Sequence, residues 1–106
     1  FPDEVIGWVL LGYYLDKTSD DITPLLKQWK LSNDLIKKIK QILSLVLIYQ
    51  DQGTWTVFDL YQASESLLCF ASKTLDYLNL LSCSYDDHIK KVITMYQHLP
   101  IKKRTD

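Results

Sequence analysis

The 106-residue sequence has few residues that interrupt secondary structure or form cross-links, with only three glycines, three prolines and two cysteines. So little glycine and proline argues against disorder and against a turn-rich β fold. Cys69 and Cys83 stand in apolar surroundings without a Cys-x-x-Cys or Cys/His spacing. We therefore expect two buried, reduced thiols, with a disulfide or a reactive thiol as the alternative.

Long apolar runs are also missing. The longest, at residues 45–49, is far shorter than the roughly 18 residues that a membrane span needs. The sequence shows no basic start, apolar centre and small-residue cleavage site of the kind that a signal peptide carries. We expect a cytoplasmic protein without a membrane partner.

Catalytic motifs are absent as well. Gly7, Gly12 and Gly53 are isolated, so no glycine-rich loop cradles a phosphate, and no Asp-x-Asp pair could hold two metal ions. His88 and His98 lie ten residues apart without metal-ligand spacing, and we interpret each as a surface helix residue. This pattern predicts a non-catalytic chain with no metal or cofactor of its own, and binding becomes the default function.

The net charge of −1 conceals alternating blocks of charge. Residues 25–50 carry five lysines against one acid, and residues 90–106 carry five basic residues against one acid, whereas residues 1–24 and 51–89 are acidic. Such blocks can build a basic face that binds a polyanion on a nearly neutral protein. Ordinary solvated helix faces are the alternative.

Apolar residues recur at helical spacing along nearly the whole chain, which predicts an all-α fold with no strand. We expect a compact bundle of five to six short helices joined by short turns. Gly53 and Pro100 are expected to end helices. The predicted N-caps, in chain order, are Thr23, Ser32, Thr56, Ser64 and Ser84.

Two features of this pattern bear on binding. In the long helix after Ser32, an apolar stripe faces one side, and Lys37, Lys40, Gln41 and Ser44 fall together on the other. The first helix, by contrast, is apolar around most of its circumference, which indicates burial on several sides or a partner outside this sequence. Six aromatic residues could stack on exposed bases, although their spacing among aliphatics favours core packing: Trp8, Trp29, Tyr49, Trp55, Phe70 and Tyr77.

Two stretches carry a more specific signal. Residues 24–39 read Pro-Leu-Leu-Lys-Gln-Trp-Lys-Leu-Ser-Asn-Asp-Leu-Ile-Lys-Lys-Ile, and residues 96–106 read Tyr-Gln-His-Leu-Pro-Ile-Lys-Lys-Arg-Thr-Asp. The first resembles a segment of the CCA-adding enzymes of Gram-positive-type bacteria, in which a short helix and a Trp-Lys-Leu-Ser-Asn turn lead into a longer helix. The second is similar to that family's Leu-Pro-Ile-Lys-x-Arg-x-Asp/Glu segment, which precedes its tail. Together they cover about a quarter of the chain.

The resemblance implies that the chain is a fragment of a larger multidomain enzyme, a tRNA nucleotidyltransferase. In that family a head carries metal-binding carboxylates, a neck selects CTP or ATP, and a helical body and tail hold the acceptor and TψC arm of tRNA. The head's Asp-x-Asp and the neck's Glu-Asp-x-x-Arg motifs are absent here. The resemblance thus implies residues 1–99 as a helical body-like domain and residues 100–106 as a basic segment leading toward the tail.

The implied role is to hold tRNA while the missing head, with Mg²⁺, CTP and ATP, adds or repairs the 3′-terminal CCA. The candidate phosphate contacts are Lys37, Lys38, Lys40, Lys102, Lys103 and Arg104. For each of them a solvated charge without a partner is the alternative. A rival function is a free-standing helical protein–protein interaction module, which the apolar first helix favours.

Overall fold

In the computed structural model, residues 4–15 and 22–99 are described, and they form six α-helices and no strand. The helices are α1 (Glu4–Tyr14), α2 (Thr23–Gln28), α3 (Asn33–Gln52), α4 (Val57–Gln62), α5 (Glu65–Tyr77) and α6 (Tyr85–Gln97). The Cα radius of gyration is 13.6 Å, close to the value of about 13 Å for a compact domain of this length. The predicted all-α class and compact bundle are confirmed. Within the described ranges, no helix has the length and apolar content needed to cross a membrane.

Serine and threonine side chains start four of these helices as the sequence pattern indicates. Ser32, Ser64 and Ser84 each accept a hydrogen bond of 3.2 Å from the backbone N–H three residues later. Thr56 and Asp59 form a reciprocal capping box at the start of α4. These bonds satisfy donors that the first turn of a helix cannot pair internally.

The predicted N-cap at Thr23 is wrong. Helix α2 begins at Thr23 itself, and the N-cap position is taken by Ile22, whose side chain offers no cap bond. Ile22 is fully buried in the core, and this packing fixes where the first turn begins. Thr23 is thereby drawn into the helix, and its Oγ1 is buried with no hydrogen-bond partner among the described residues.

Helix α3 is the centre of the bundle. It packs mainly on α5 and α1 and also on α2, while α6 packs on α5 and α4. Gly53 ends α3 at a φ of 78°, a left-handed conformation that suits glycine. The apolar side of α3 supplies much of the core through Ile36, Ile39, Ile42, Leu43, Leu45, Val46 and Tyr49.

Helix α1 buries only one of its sides within the described residues. Val5, Ile6, Val9 and Gly12 face the core, whereas Leu11, Tyr14 and Leu15 are exposed. Burial on several sides, one of the two expectations for this helix, is therefore not met within the described part of the chain. The buried side packs closely, because a Cβ on Gly12 would collide with Ile22 and lie 3.1 Å from Leu43 Cδ2.

Candidate nucleic-acid interface

The solvent-facing side of α3 forms a shallow groove that contains two of the predicted phosphate-binding lysines. We call it the α3 groove. Its lining residues are Asn33, Ile36, Lys37, Lys40, Gln41 and Ser44. They share one side because they are separated by three, four or seven residues, close to whole turns of a helix with 3.6 residues per turn. The predicted grouping of Lys37, Lys40, Gln41 and Ser44 is confirmed, and Asn33, seven residues before Lys40, could have been added by the same spacing.

Lys38 does not line this groove. It lies beyond the arc of the helix that the lining residues cover, and it is half-buried. Lys37 is exposed and Lys40 is half-buried. The structure therefore brings together two of the three lysines predicted on α3.

The other three predicted contacts, Lys102, Lys103 and Arg104, lie outside the described residues. Together they are called the tail cations below, and their role stays a prediction.

The α3 groove offers several hydrogen-bond donors. The two lysines supply ammonium groups, and Asn33, Gln41 and Ser44 supply amide and hydroxyl groups. None of the described residues that line the groove is acidic. A surface of this composition suits a polyanion that also presents hydroxyl groups, such as the backbone of RNA.

His88 is the one buried imidazole of the described residues, so the prediction of a surface histidine is wrong at this position. Its Nε2 lies 3.0 Å from Ser72 Oγ, while the Ser72 hydroxyl donates to the carbonyl of Leu68 at 2.7 Å. Because the serine has a single proton, Nε2 of His88 is the donor in this contact. Rings of Tyr49 and Trp55 pack against the imidazole with centroids 5.5 and 5.6 Å away. Burial, and then the nearby Lys91, lowers the pKa of His88.

The Ser72–His88 pair is structural rather than nucleophilic. Ser72 is fully buried and its proton points to a backbone carbonyl, so the hydroxyl can neither reach a substrate nor pass its proton to the imidazole. His98 is exposed, as predicted, and its Nδ1 donates to the Thr94 carbonyl at 2.7 Å. In residues 4–15 and 22–99, no group of three or more His, Cys, Asp or Glu side chains could hold a metal ion.

The two cysteines are free thiols, but the expectation that both are buried is wrong. Cys69 is half-buried and Cys83 is exposed. Cys83 lies in the exposed turn before α6, where its apolar sequence neighbours do not cover it. Burial, and then the charge of Glu65, raises the pKa of the Cys69 thiol, which reduces its reactivity at neutral pH.

The aromatic residues divide between core and surface. Trp55 and Tyr49 are buried as predicted, and Trp55 Nε1 donates to the Leu45 carbonyl at 2.8 Å. Trp29 and Tyr77 are exposed, so core packing is the wrong prediction for these two. Trp29 follows the last residue of α2, and its ring lies beside that of Trp8 on α1 with the centroids 5.8 Å apart. Tyr77 is the last residue of α5. Packing at these two helix ends leaves both side chains exposed.

Comparison with known proteins agrees with the resemblance seen in the two sequence stretches. The chain is 28% identical over 106 residues to a CCA-adding enzyme of Latilactobacillus sakei, covering 98% of this chain and 25% of that protein. It is 31% identical over 99 residues to a CCA-adding enzyme of Bacillus velezensis, covering 93% of this chain and 23% of that protein. A CCA-adding enzyme of Bacillus cereus is 28% identical over 109 residues, covering 100% of this chain and 25% of that protein.

The chain therefore spans about a quarter of the length of the curated relatives that it matches. No solved structure is a significant match. A family model described as tRNA nucleotidyltransferase domain 2 matches residues 1–106, which is the whole chain. With that match and these relatives, the chain belongs to the tRNA nucleotidyltransferase domain 2 family.

Proposed function

We propose that this chain is the tRNA-holding part of a CCA-adding tRNA nucleotidyltransferase and that the α3 groove contacts the acceptor/TψC arm. The observation that carries the proposal is that Lys37 and Lys40 line one groove, together with amide and hydroxyl side chains. The relatives named CCA-adding enzymes support tRNA as the polyanion that this groove would bind.

In this proposal the contacts are with the RNA backbone. Ammonium groups of Lys37 and Lys40 neutralise phosphates, and the side chains of Asn33, Gln41 and Ser44 can bond to ribose hydroxyls. Such contacts recognise the shape of an RNA helix rather than its base sequence. The tail cations are proposed to add further phosphate contacts beyond residue 99, from the basic segment at 100–106.

Nucleotidyl transfer itself is assigned to a head domain elsewhere in a longer, cytoplasmic protein, with CTP and ATP as substrates and Mg²⁺ as cofactor. Residues 1–99 are then a helical body-like domain of that enzyme. The reading frame around the native gene tests this assignment. It should encode a nucleotidyltransferase head with a metal-binding carboxylate pair upstream of these residues, and a complete frame without one contradicts it.

The RNA-binding role of the α3 groove is tested by salt-dependent affinity. The double variant Lys37→Ala/Lys40→Ala should bind labelled tRNA more weakly than the wild-type chain in fluorescence anisotropy at low salt. Because each phosphate contact contributes about 0.7–0.9 to the slope of log affinity against log salt, the slope should become about 1.5 shallower. Lys73→Ala/Lys90→Ala removes the same charge from exposed positions on α5 and α6 and is the matched control. Equal slopes in the two double variants would contradict the proposal.

The tail cations are tested in the longer enzyme. Replacing Lys102, Lys103 and Arg104 by alanine should weaken tRNA binding at low salt through loss of phosphate contacts. Unchanged affinity at low salt would show that residues 100–106 do not contact tRNA. It would not contradict the role proposed for the α3 groove.

A second candidate function is a helical protein–protein interaction module. The exposed side chains of Leu11 and Tyr14 on α1, and of Leu15 just after it, favour this function, because an apolar surface is stabilised by a covering partner. Gel filtration with light scattering separates the two functions. A tight dimer that does not bind tRNA would favour the interaction module. A monomer that binds tRNA would favour the tRNA-holding function.

A further inference from the structure

A second groove adjoins the α3 groove. It lies between α3 and α5, and we call it the α4 groove because α4 forms one of its walls. Gln41 and Ser44 line both grooves, so the two are neighbours on one surface. The α4 groove is lined by Gln41, Ser44, Leu45, Ile48, Phe58, Asp59, Gln62, Ala63 and Leu67.

Phe58 is the most exposed side chain of this lining that is both large and apolar. Its side chain is 69% exposed, and Leu60 is the buried residue of α4. The capping box between Thr56 and Asp59 fixes the first turn of α4, and with it the backbone that carries Phe58. An aromatic ring held in this way at the mouth of a groove offers a flat apolar face to an incoming planar group.

The charges along the two grooves have opposite signs at opposite ends. Lys37 and Lys40 lie in the α3 groove, whereas the carboxylate of Asp59 lies in the α4 groove. Asp59 Oδ2 is held in place by hydrogen bonds of 2.9 Å from both the N–H and the hydroxyl of Thr56. A phosphate is attracted to the lysine end and repelled from the Asp59 end. An uncharged part of the same ligand fits the α4 groove.

We infer that the α4 groove binds an unpaired nucleobase of the RNA whose phosphates contact Lys37 and Lys40, with Phe58 as the stacking side chain. The inference rests on the proposed function and deepens it by naming a base-binding site. Ile48 and Leu67 supply apolar wall around the base, and the amides of Gln41 and Gln62 can bond to its edge. RNA-binding proteins commonly stack such bases on aromatic rings.

An apolar protein segment is the competing occupant of this groove. RNA is favoured because the groove adjoins the two-lysine groove and shares Gln41 and Ser44 with it. A neutral apolar segment would place no negative charge beside those lysines, whereas RNA brings a phosphate with each base.

The test compares Phe58→Ala with Val57→Ala in anisotropy titrations of the 106-residue chain with tRNA. Val57 is a matched control because it is 51% exposed on the same helix and does not line the groove. Loss of one stacked base should weaken binding by roughly 5- to 150-fold in Phe58→Ala. The salt slope should stay at the wild-type value, because Phe58 contacts no phosphate. Phe58→Tyr should bind within about twofold of wild type, whereas Phe58→Leu, apolar but unable to stack, should be weakened like Phe58→Ala.

The outcomes distinguish this inference from the proposed function. If Phe58→Ala behaves like Val57→Ala while Lys37→Ala/Lys40→Ala weakens binding, the base-binding site is wrong and the proposed function stands. If Phe58→Leu binds like wild type, the groove takes an apolar group without stacking, and the inference is again overturned. If the lysine double variant has no effect, the proposed function itself fails. Circular dichroism melts are the control for folding. Each Phe58 variant should be folded, because the side chain of Phe58 is exposed.

Discussion

At the scale of single residues, His88 illustrates what packing does to an ordinary polar side chain. Its neighbours in sequence, two aspartates before it and two lysines close after it, are typical of an exposed helix face. The structure instead places it against Tyr49, Trp55 and Ser72. The burial of His88 follows from the positions of α3, α5 and the segment before α4, which the sequence around His88 does not predict.

The buried imidazole predicts a pH dependence of stability. The pKa of His88 is lowered from its ordinary value of 6.5 by burial and then by Lys91. As the pH falls below 6.5, the histidine is therefore protonated in the unfolded chain while His88 stays neutral in the folded chain. Proton uptake stabilises the unfolded chain, so the free energy of unfolding falls as the pH falls. Thermal melts between pH 7.5 and 5.5 should show a decreasing Tm. His88→Gln, whose amide can still donate to Ser72, should flatten this dependence, and His98→Gln at an exposed site should not. Equal pH dependences in wild type and His88→Gln would contradict the assignment.

Two glycines of α1 form a matched pair for packing. Gly7 has no atom within 4 Å of where a Cβ would stand, whereas a Cβ on Gly12 would collide with Ile22 and press on Leu43. Gly7→Ala should raise the free energy of unfolding by about 0.5–1 kcal/mol through helix propensity. Gly12→Ala should be less stable than Gly7→Ala by about 1–3 kcal/mol because the interior is overpacked. Urea denaturation measures both, and a Gly12→Ala chain as stable as Gly7→Ala would show that α1 and α3 are not closely packed.

At the scale of helices, local signals predicted most of the architecture. The helix N-caps join residues only three positions apart, so a short stretch of sequence contains every residue of each cap. This holds for Ser32, Ser64, Ser84 and the capping box of Thr56 and Asp59. The face of α3 with Lys37 and Lys40 follows from helical spacing in the same way.

Features that depend on neighbouring helices were the ones the sequence pattern missed. The burial of Ile22 displaced the predicted cap at Thr23. Trp29 and Tyr77 were expected in the core from their apolar character, yet both are exposed at helix ends, Trp29 beside Trp8 of α1. The α4 groove was missed for the same reason, because its walls come from three helices whose packing on one another the local sequence pattern does not specify.

The end of α3 gives the prediction at this scale. Gly53 adopts a φ of 78°, and a side chain in the left-handed region costs roughly 1–2 kcal/mol. Gly53→Ala should lower the free energy of unfolding by about that amount, and Gly53→Asn should lower it less, since asparagine tolerates this conformation. Chemical denaturation of the two variants checks the order. An alanine variant as stable as wild type would mean that α3 ends without a left-handed residue.

At the scale of the whole molecule, the distribution of charge over the surface says more about which ligands can bind than the net charge does. A net charge of −1 hides a groove on the solvent-facing side of α3 that is lined by two lysines and by no acidic residue from ranges 4–15 and 22–99. The core on the opposite side of α3 holds that groove in a fixed shape. The residues of α3 that face inward thus position the residues that face outward.

The most direct test of the proposed RNA-binding role is a nuclear magnetic resonance titration of the isotope-labelled 106-residue chain with tRNA at low salt. This measurement detects weak binding and assigns it to residues without any mutation. The largest saturable shifts should fall on the backbone amides of residues 33–44, with further shifts at residues 58–62. Saturable shifts confined to α1 or α6, or no saturable shift at any residue, would contradict the assignment of the α3 groove to RNA.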